Sequence, residues 1–233
     1  MLGSYGSGLG QRGNYINSYQ PLKYSLDIEE LPDEEPVTLE ELKDHMRITE
    51  VDDDKVLAGL IVAARQGAEK YTRRSFVEQT WKMKMDSFPY GNSGPWFDGV
   101  VQAPISSAIN CRQLLIPIPP LKSVTHIKTY SNTDVATTFD SDDYQVSTYN
   151  GLYAKNGKIT LRDGVVWPTF ERNADGIEIQ FIAGYGDPDD VPELIKLAIK
   201  EEAAYRYENR GDCGLIGSSA AISLLSQFKL ERI

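Results

Sequence analysis

The sequence predicts an α+β fold: a small α-helical core, built from a helical hairpin plus a C-terminal helix, with an inserted β domain and extended N- and C-terminal arms. Apolar residues recur at helical spacing near both ends of the chain and alternate with polar residues between them. Gly, Ser and acidic residues dominate the first 35 positions, which are poor material for a core. The predicted divisions are residues 1–35 for the N-terminal arm, 36–76 and 188–210 for the helical core, 77–187 for the inserted β domain, and 211–233 for the C-terminal tail.

The composition excludes several classes of protein. The 233 residues carry a net charge of −10, which argues against binding of a phosphate backbone, because that needs clustered Lys and Arg. Apolar runs stay well short of the roughly 20 residues that cross a bilayer, and we see no secretory signal, so we expect synthesis in the cytosol and no membrane partner. Cys111 and Cys213 lack C-x-x-C spacing, which predicts reduced thiols.

The helical hairpin begins with a sharp start signal. Thr38 and Glu41 have the spacing of a capping box, and Val37 and Leu42 that of a hydrophobic staple. After a polar break at residues 49–54, a second apolar stripe at helical spacing predicts another helix ending near residues 72–74.

The pattern in the middle of the chain predicts a series of short strands. Trp81, Met83 and Met85 alternate with two lysines, as in a half-exposed strand. Similar patterns, separated by turn residues, predict strands at 113–116, 123–130, 144–148, 158–162 and 177–182. Residues 88–107 are rich in Gly and Pro and predict a long loop, which is a plausible contact surface.

The C-terminal tail follows a third helix, which we expect to start after Asp187–Asp190 and end near residues 209–211. An apolar segment beyond a Gly- and Ser-containing linker is expected to leave its own protomer and bind a partner, as a helix or as a strand. The alternative is that it packs on its own β domain. The side chains predicted to make this contact are Ile222, Leu224, Leu225, Phe228 and Leu230.

No catalytic constellation is visible in the sequence. His45 and His126 are isolated from nucleophile or metalloprotease motifs, so each is expected to serve a structural role. The acidic clusters at 52–54 and 187–190 stand where helices begin, and capping explains them without a metal. We therefore expect no catalytic residue, no metal site and no cofactor.

The motifs taken in order resemble the head-tail connector, or adaptor, family of tailed bacteriophages. The resemblance rests on Val-Thr-Leu-Glu-Glu-Leu from Val37, the run from Glu69 to Arg74, Ile116-Pro-Ile-Pro-Pro-Leu, Ala183-Gly-Tyr-Gly and Tyr207-Glu-Asn-Arg, spread over residues 36–210. It implies a dodecameric ring that attaches to the portal protein, receives a stopper or tail-completion protein, and surrounds DNA without sequence-specific binding. It also implies synthesis in the host cytoplasm and location in the neck of the virion. With this resemblance, the partner on which the C-terminal side chains named above are predicted to dock is the portal.

An acidic chain around a DNA channel should present an acidic wall. The candidates for lining it are Glu40, Glu41, Asp44, Asp53 and Asp54. Two other functions stay open at this point. A metal-assisted hydrolase could use the acids at 187–190, and a monomeric peptide-binding module could act by β-strand addition.

Overall fold

The computed structural model describes residues 24–88, 112–211 and 214–230. Within these residues the helices are α1 (Leu39–Met46), α2 (Asp54–Thr72), α3 (Glu193–Glu208) and α4 (Ser219–Ser226). The strands are β1 (Tyr24–Glu30), β2 (Gln79–Met85), β3 (Gln113–Leu115), β4 (Leu121–Tyr130), β5 (Ala136–Thr138), β6 (Tyr144–Ser147), β7 (Lys158–Leu161) and β8 (Ile177–Ala183). None of the helices in the described ranges is long and apolar enough to span a bilayer.

The capping box predicted at the start of α1 is present. The Glu41 N–H donates to Thr38 Oγ1 at 3.2 Å, and the Thr38 N–H donates to Glu41 Oε2 at 2.8 Å. The bond from the Thr38 backbone is the main reason why the pKa of Glu41 lies below its ordinary value. Helix α1 ends at Arg47, whose left-handed conformation closes the last turn.

The helical core contains residues from near both ends of the described chain. The buried stripe of α2 includes Leu57, Ile61 and Ala64, and it packs against Ile195 and Ile199 of α3. The same cluster contains residues from α1 and α4. The fold class predicted from the sequence is confirmed, because one helical core and an inserted set of strands are both observed.

The strands form two antiparallel sheets among the described residues. The larger has the order β1-β2-β8-β4-β5, and the smaller has the order β3-β7-β6. Met83 pairs with Ile179 across β2 and β8, and Ile127 of β4 pairs with the same residue from the other side. All three side chains are buried in a second core, which also takes Ile159 from β7. The β strands therefore have a core of their own.

Strand β1 lies within the segment that the sequence predicted as an extended arm. It pairs with β2 over Tyr24–Glu30, with a bulge between Ile28 and Glu30, and forms one edge of the larger sheet. Its alternation of Tyr24, Leu26 and Ile28 with polar residues is a strand signal, masked by the many acids around it. The predicted arm thus contributes a strand, and residues 1–23 lie outside the described residues.

A buried arginine joins the two cores. Arg74 follows α2, and its guanidinium donates to the carbonyl oxygens of Phe228 in the C-terminal segment and Ala154 in the β6–β7 connection. Burial lowers the pKa of Arg74, and the neighbouring Tyr185 opposes that effect. One side chain therefore fixes the end of α2, the C-terminal segment and a β-domain loop in one arrangement.

Candidate assembly surfaces

The C-terminal segment packs against its own chain in this structure. Ala221, Leu225 and Phe228 are fully buried in the helical core, and the ring of Phe228 also stacks on Tyr153 of the β6–β7 connection at 5.7 Å. The segment is helical at α4, with Ser218 as its N-cap, whose hydroxyl accepts from the Ala221 N–H at 3.2 Å. Both a helix and a strand were compatible with the sequence, and the structure shows a capped helix.

The linker before α4 is held by a buried carboxylate. Glu202 of α3 has no exposed surface, and its oxygens accept from the backbone N–H groups of Gly217, at 3.0 and 3.1 Å, and Ser218, at 2.9 Å. Arg206 donates to Glu202 at 2.7 Å and to the carbonyl oxygens of Gly214 and Leu215. The sequence predicted a Gly- and Ser-containing linker that lets the segment leave its protomer, whereas residues 214–218 are fixed by charge-assisted hydrogen bonds.

Close packing against α2 holds the same linker from the other side. A Cβ atom added at Gly67 would lie 2.7 Å from the Leu215 carbonyl oxygen. Only glycine leaves room for this approach. The linker is therefore positioned by α2 as well as by α3.

The predicted docking residues divide into two groups. Leu225 and Phe228 face the helical core, whereas Ile222 is 37% exposed and Leu224 and Leu230 are half-buried. The Leu230 N–H donates to the Thr72 carbonyl at 3.2 Å. Portal docking by Leu225 and Phe228 stays a prediction, and it would require α4 to leave this site. The alternative weighed from sequence was packing on the chain's own β domain. The segment instead packs mainly on the helical core, and Phe228 also contacts the β6–β7 connection through Tyr153.

The predicted channel-lining acids also divide. Glu40, Glu41 and Asp44 are exposed on α1, although Glu41 is used in the capping box. Asp53 accepts from the Tyr207 hydroxyl at 2.5 Å, and Asp54 accepts from Lys43 at 2.7 Å. The hydrogen bond to Asp53 raises the pKa of Tyr207. Asp53 and Asp54 thus connect helices within the chain, while Glu40 and Asp44 present carboxylates outward.

Each of the two histidines contacts a glutamate side chain. His45 lies 3.5 Å from Glu201, and His126 lies 3.2 Å from Glu178, which also accepts from the Tyr130 hydroxyl at 3.1 Å. Burial raises the pKa of Glu178, but the bonds from His126 and Tyr130 outweigh it and leave the pKa lowered. These pairs connect neighbouring elements of the fold.

The acids at 187–190 lie at a short 3-10 helix, Pro188–Asp190, just before α3. The Asp187 N–H donates to Asp190 Oδ2 at 3.2 Å, so these side chains shape the turn. No cluster of three or more potential metal ligands occurs within residues 24–88, 112–211 and 214–230.

A shallow cavity of about 430 Å³ lies between the end of α1 and α3. His45, Met46, Ile48, Ala204, Tyr207 and Glu208 line it. Its walls mix apolar and polar side chains. Of the polar ones, His45 meets Glu201 and Tyr207 donates to Asp53, so both are already engaged within the chain.

Comparisons with known proteins address the sequence and the fold separately. Residues 36–94 match the family described as phage gp6-like head-tail connector protein. This match covers the stretch from α1 to the end of β2 and a few residues beyond. No curated protein is similar enough in sequence to count as a relative.

Solved structures resemble the chain over most of its length. One chain of the "Neck of empty GTA particle computed with C6 symmetry" has a TM-score of 0.69 at 18% identity, covering 90% of this chain and 97% of that chain. A chain of the "Virion of native gene transfer agent (GTA) particle" has a TM-score of 0.67 at 19% identity, covering 89% and 96%. At this level of identity the likeness establishes a shared fold. The resemblance to the phage head-tail connector family is confirmed by the sequence match over residues 36–94, and over most of its length the chain shares its fold with a chain of a GTA neck structure.

Proposed function

We propose that this protein is a structural head-to-tail adaptor of a tailed phage or phage-like particle. In this proposal it forms a ring beneath the portal, joins the portal to the stopper or tail, and surrounds the DNA channel in the neck of the virion. The observation that carries the proposal is the connector sequence match at residues 36–94, within a fold shared with a neck structure. A similar structure is described as "Neck of native GTA particle computed with C12 symmetry", which supports twelve copies in the ring.

The acidic balance of the chain suits a channel that conveys DNA. A wall that released counterions on binding phosphate would retain the DNA, and this chain carries 34 acidic against 24 basic residues. Glu40, Glu41 and Asp44 on α1 are the exposed candidates for that wall, and Glu41 also takes part in the capping box. We expect a ring assembled from this chain to have a lumen of negative potential, and a continuously basic lumen would contradict the proposal.

The proposed role is structural rather than catalytic. His45 and His126 are engaged with glutamates, and the acids at 187–190 are used at a turn. Replacing His126, or Asp187 together with Asp189, is expected to abolish no enzymatic turnover, because no side chain should be indispensable for chemistry. An enzymatic turnover abolished by either change without loss of assembly would refute the structural role.

Cryo-electron microscopy of the particle neck tests the proposal directly. We expect density for this chain in a ring between portal and tail. Co-sedimentation of the purified chain with portal rings gives a second measurement, in which the chain should pellet only when the portal is present. A chain that is absent from the neck and is not retained by the portal would overturn the proposal.

A further inference from the structure

An acidic, partly apolar surface lies along the outer edge of β1, where no further strand pairs among the described residues, and along the segment after it. Four exposed carboxylates belong to it, and none of them forms an ion pair among the described residues: Asp27, Glu30, Asp33 and Glu34. The neighbouring Glu29 and Glu35 are already paired, with Lys82 and Arg65. Ile28 is 42% exposed and Leu31 is 61% exposed on the same stretch. We call this surface the acidic edge.

A basic, aromatic surface lies where the end of α2, the C-terminal segment and the β6–β7 connection meet. Its cations, Lys70, Arg73, Lys155 and Lys229, form no ion pair within the part of the chain that the structure describes. Contacts hold the patch together: Lys229 lies over the Tyr71 ring at 4.8 Å, and Tyr153 stacks on Phe228. Leu152 and Tyr153 are about half exposed. We call this surface the basic patch.

The two surfaces lie at different places on the larger sheet. The acidic edge follows β1, which is an outer strand, whereas the connection carrying the basic patch packs at the start of β4, where Gly157 touches Leu121. Strands β2 and β8 separate β1 from β4. Three strand spacings amount to about 14 Å. A ring needs two different complementary surfaces on each copy, and this arrangement supplies them.

We propose that the acidic edge of one copy binds the basic patch of the next copy of this chain. Four carboxylates face four cations, and each side adds exposed apolar side chains, Ile28 and Leu31 on one and Leu152 and Tyr153 on the other. Such pairing sets the direction and register of association, and the apolar contacts add affinity. A long exposed edge strand is also a site at which another chain readily adds. The inference rests on the proposed ring and names the surfaces that close it.

Charge reversal tests the pairing in the full chain. Glu30→Lys with Glu34→Lys reverses the edge, and Lys155→Glu with Lys229→Glu reverses the patch. Sedimentation velocity at about 50 mM salt should show self-association of the wild type weakened at least about tenfold by either double variant. The two double variants mixed together should associate again, because the reversed edge faces the reversed patch. Glu50→Lys with Asp52→Lys makes the same charge change as the edge variant on exposed residues outside both surfaces and should have little effect.

Cross-linking provides a second measurement that does not depend on charge. With Cys111 and Cys213 replaced by Ser, a chain carrying Leu31→Cys is mixed with a chain carrying Leu152→Cys. A short bismaleimide should join the two different chains in preference to identical ones.

The outcomes separate this inference from the proposed function. If rings form, or the portal retains the chain, while both reversals match the control and the mixed cross-link is missing, the inference fails and the adaptor role stands. A wild-type chain that neither self-associates at low salt nor cross-links also overturns the inference. The adaptor role fails only if the portal does not retain the chain and the neck lacks it.

Discussion

Glu202 is expected to be the most sensitive polar residue of the C-terminal attachment. Replacing it with Ala leaves the N–H groups of Gly217 and Ser218 without their acceptor and the Arg206 guanidinium without its carboxylate. An unsatisfied buried donor costs about 1–3 kcal/mol, and breaking a buried charge pair costs about 3–5 kcal/mol. These costs overlap, because the same oxygens serve both roles. We expect Glu202→Ala to lower the free energy of unfolding by about 3–5 kcal/mol.

Urea unfolding measures that destabilisation, and hydrogen exchange locates it. Exchange should accelerate at residues 214–230 before it does so in the strands, because the hydrogen bonds that Glu202 accepts are those that hold the linker. Glu201→Gln is the matched control. Its side chain is 36% exposed and lies 3.5 Å from His45, so the change should cost less than about 1 kcal/mol. A Glu202→Ala chain that is destabilised by less than about 1 kcal/mol and keeps α4 protected would refute the view that this carboxylate positions the linker.

Three further predictions concern the packing of α2, the start of α1 and the attachment of α4. Gly67→Ala places a Cβ atom 2.7 Å from the Leu215 carbonyl oxygen and should lower the free energy of unfolding by about 1–3 kcal/mol, as measured by thermal or urea unfolding. Gly59→Ala on the same helix has open space around it and should stabilise the chain by about 0.5–1 kcal/mol. Equal effects at both sites would contradict the packing described. Thr38→Ala should lower the free energy of unfolding by about 1 kcal/mol at neutral pH. The pKa of Glu41 in the folded state is lowered from 4.5, so the stability that Glu41 contributes should be present above pH 4.5 and disappear as the pH falls through the folded-state pKa. Urea unfolding of the wild type and of Glu41→Gln at a series of pH values would show this. Truncation after Ser219 should remove Leu225 and Phe228 from the core at a cost of roughly 1.5–3 kcal/mol each, and a truncated chain as stable as the full one would show that α4 adds nothing to the fold.

The sequence allowed the elements with strong local signals to be predicted. The capping box at Thr38, the alternation around Met83 and the end of α3 near Asn209 all depend on residues a few positions apart. Strand β1 was not predicted because its acids obscure a short alternation and its partner lies about 50 positions away. Strand β5, with three small residues, has no apolar row to reveal it.

The C-terminal attachment could not be predicted for a related reason. Apolar spacing showed that Leu225 and Phe228 need a partner surface, but it did not indicate which surface. The residues that decide this are Glu202, Arg206 and Gly67, and each has an ordinary local explanation in a helix. A glutamate in the interior stripe of α3 was the available signal, because a buried carboxylate requires donors from outside its own helix.

The order of the chain has a consequence for synthesis. The helical core joins residues near 37–77 to residues near 191–228. During synthesis, α1 and α2 leave the ribosome well before α3 and α4, so α1 and α2 cannot bury their apolar residues until α3 and α4 have been made. The strands between them can pair in the meantime, because the fully buried residues of their core that the structure describes lie between positions 83 and 183. An incomplete nascent chain therefore keeps α1 and α2 exposed and recognisable to chaperones and proteases. Since Arg74 can reach Phe228 only after that residue has been synthesised, the basic patch forms late, and only copies that include the C-terminal segment would present both surfaces to a growing ring.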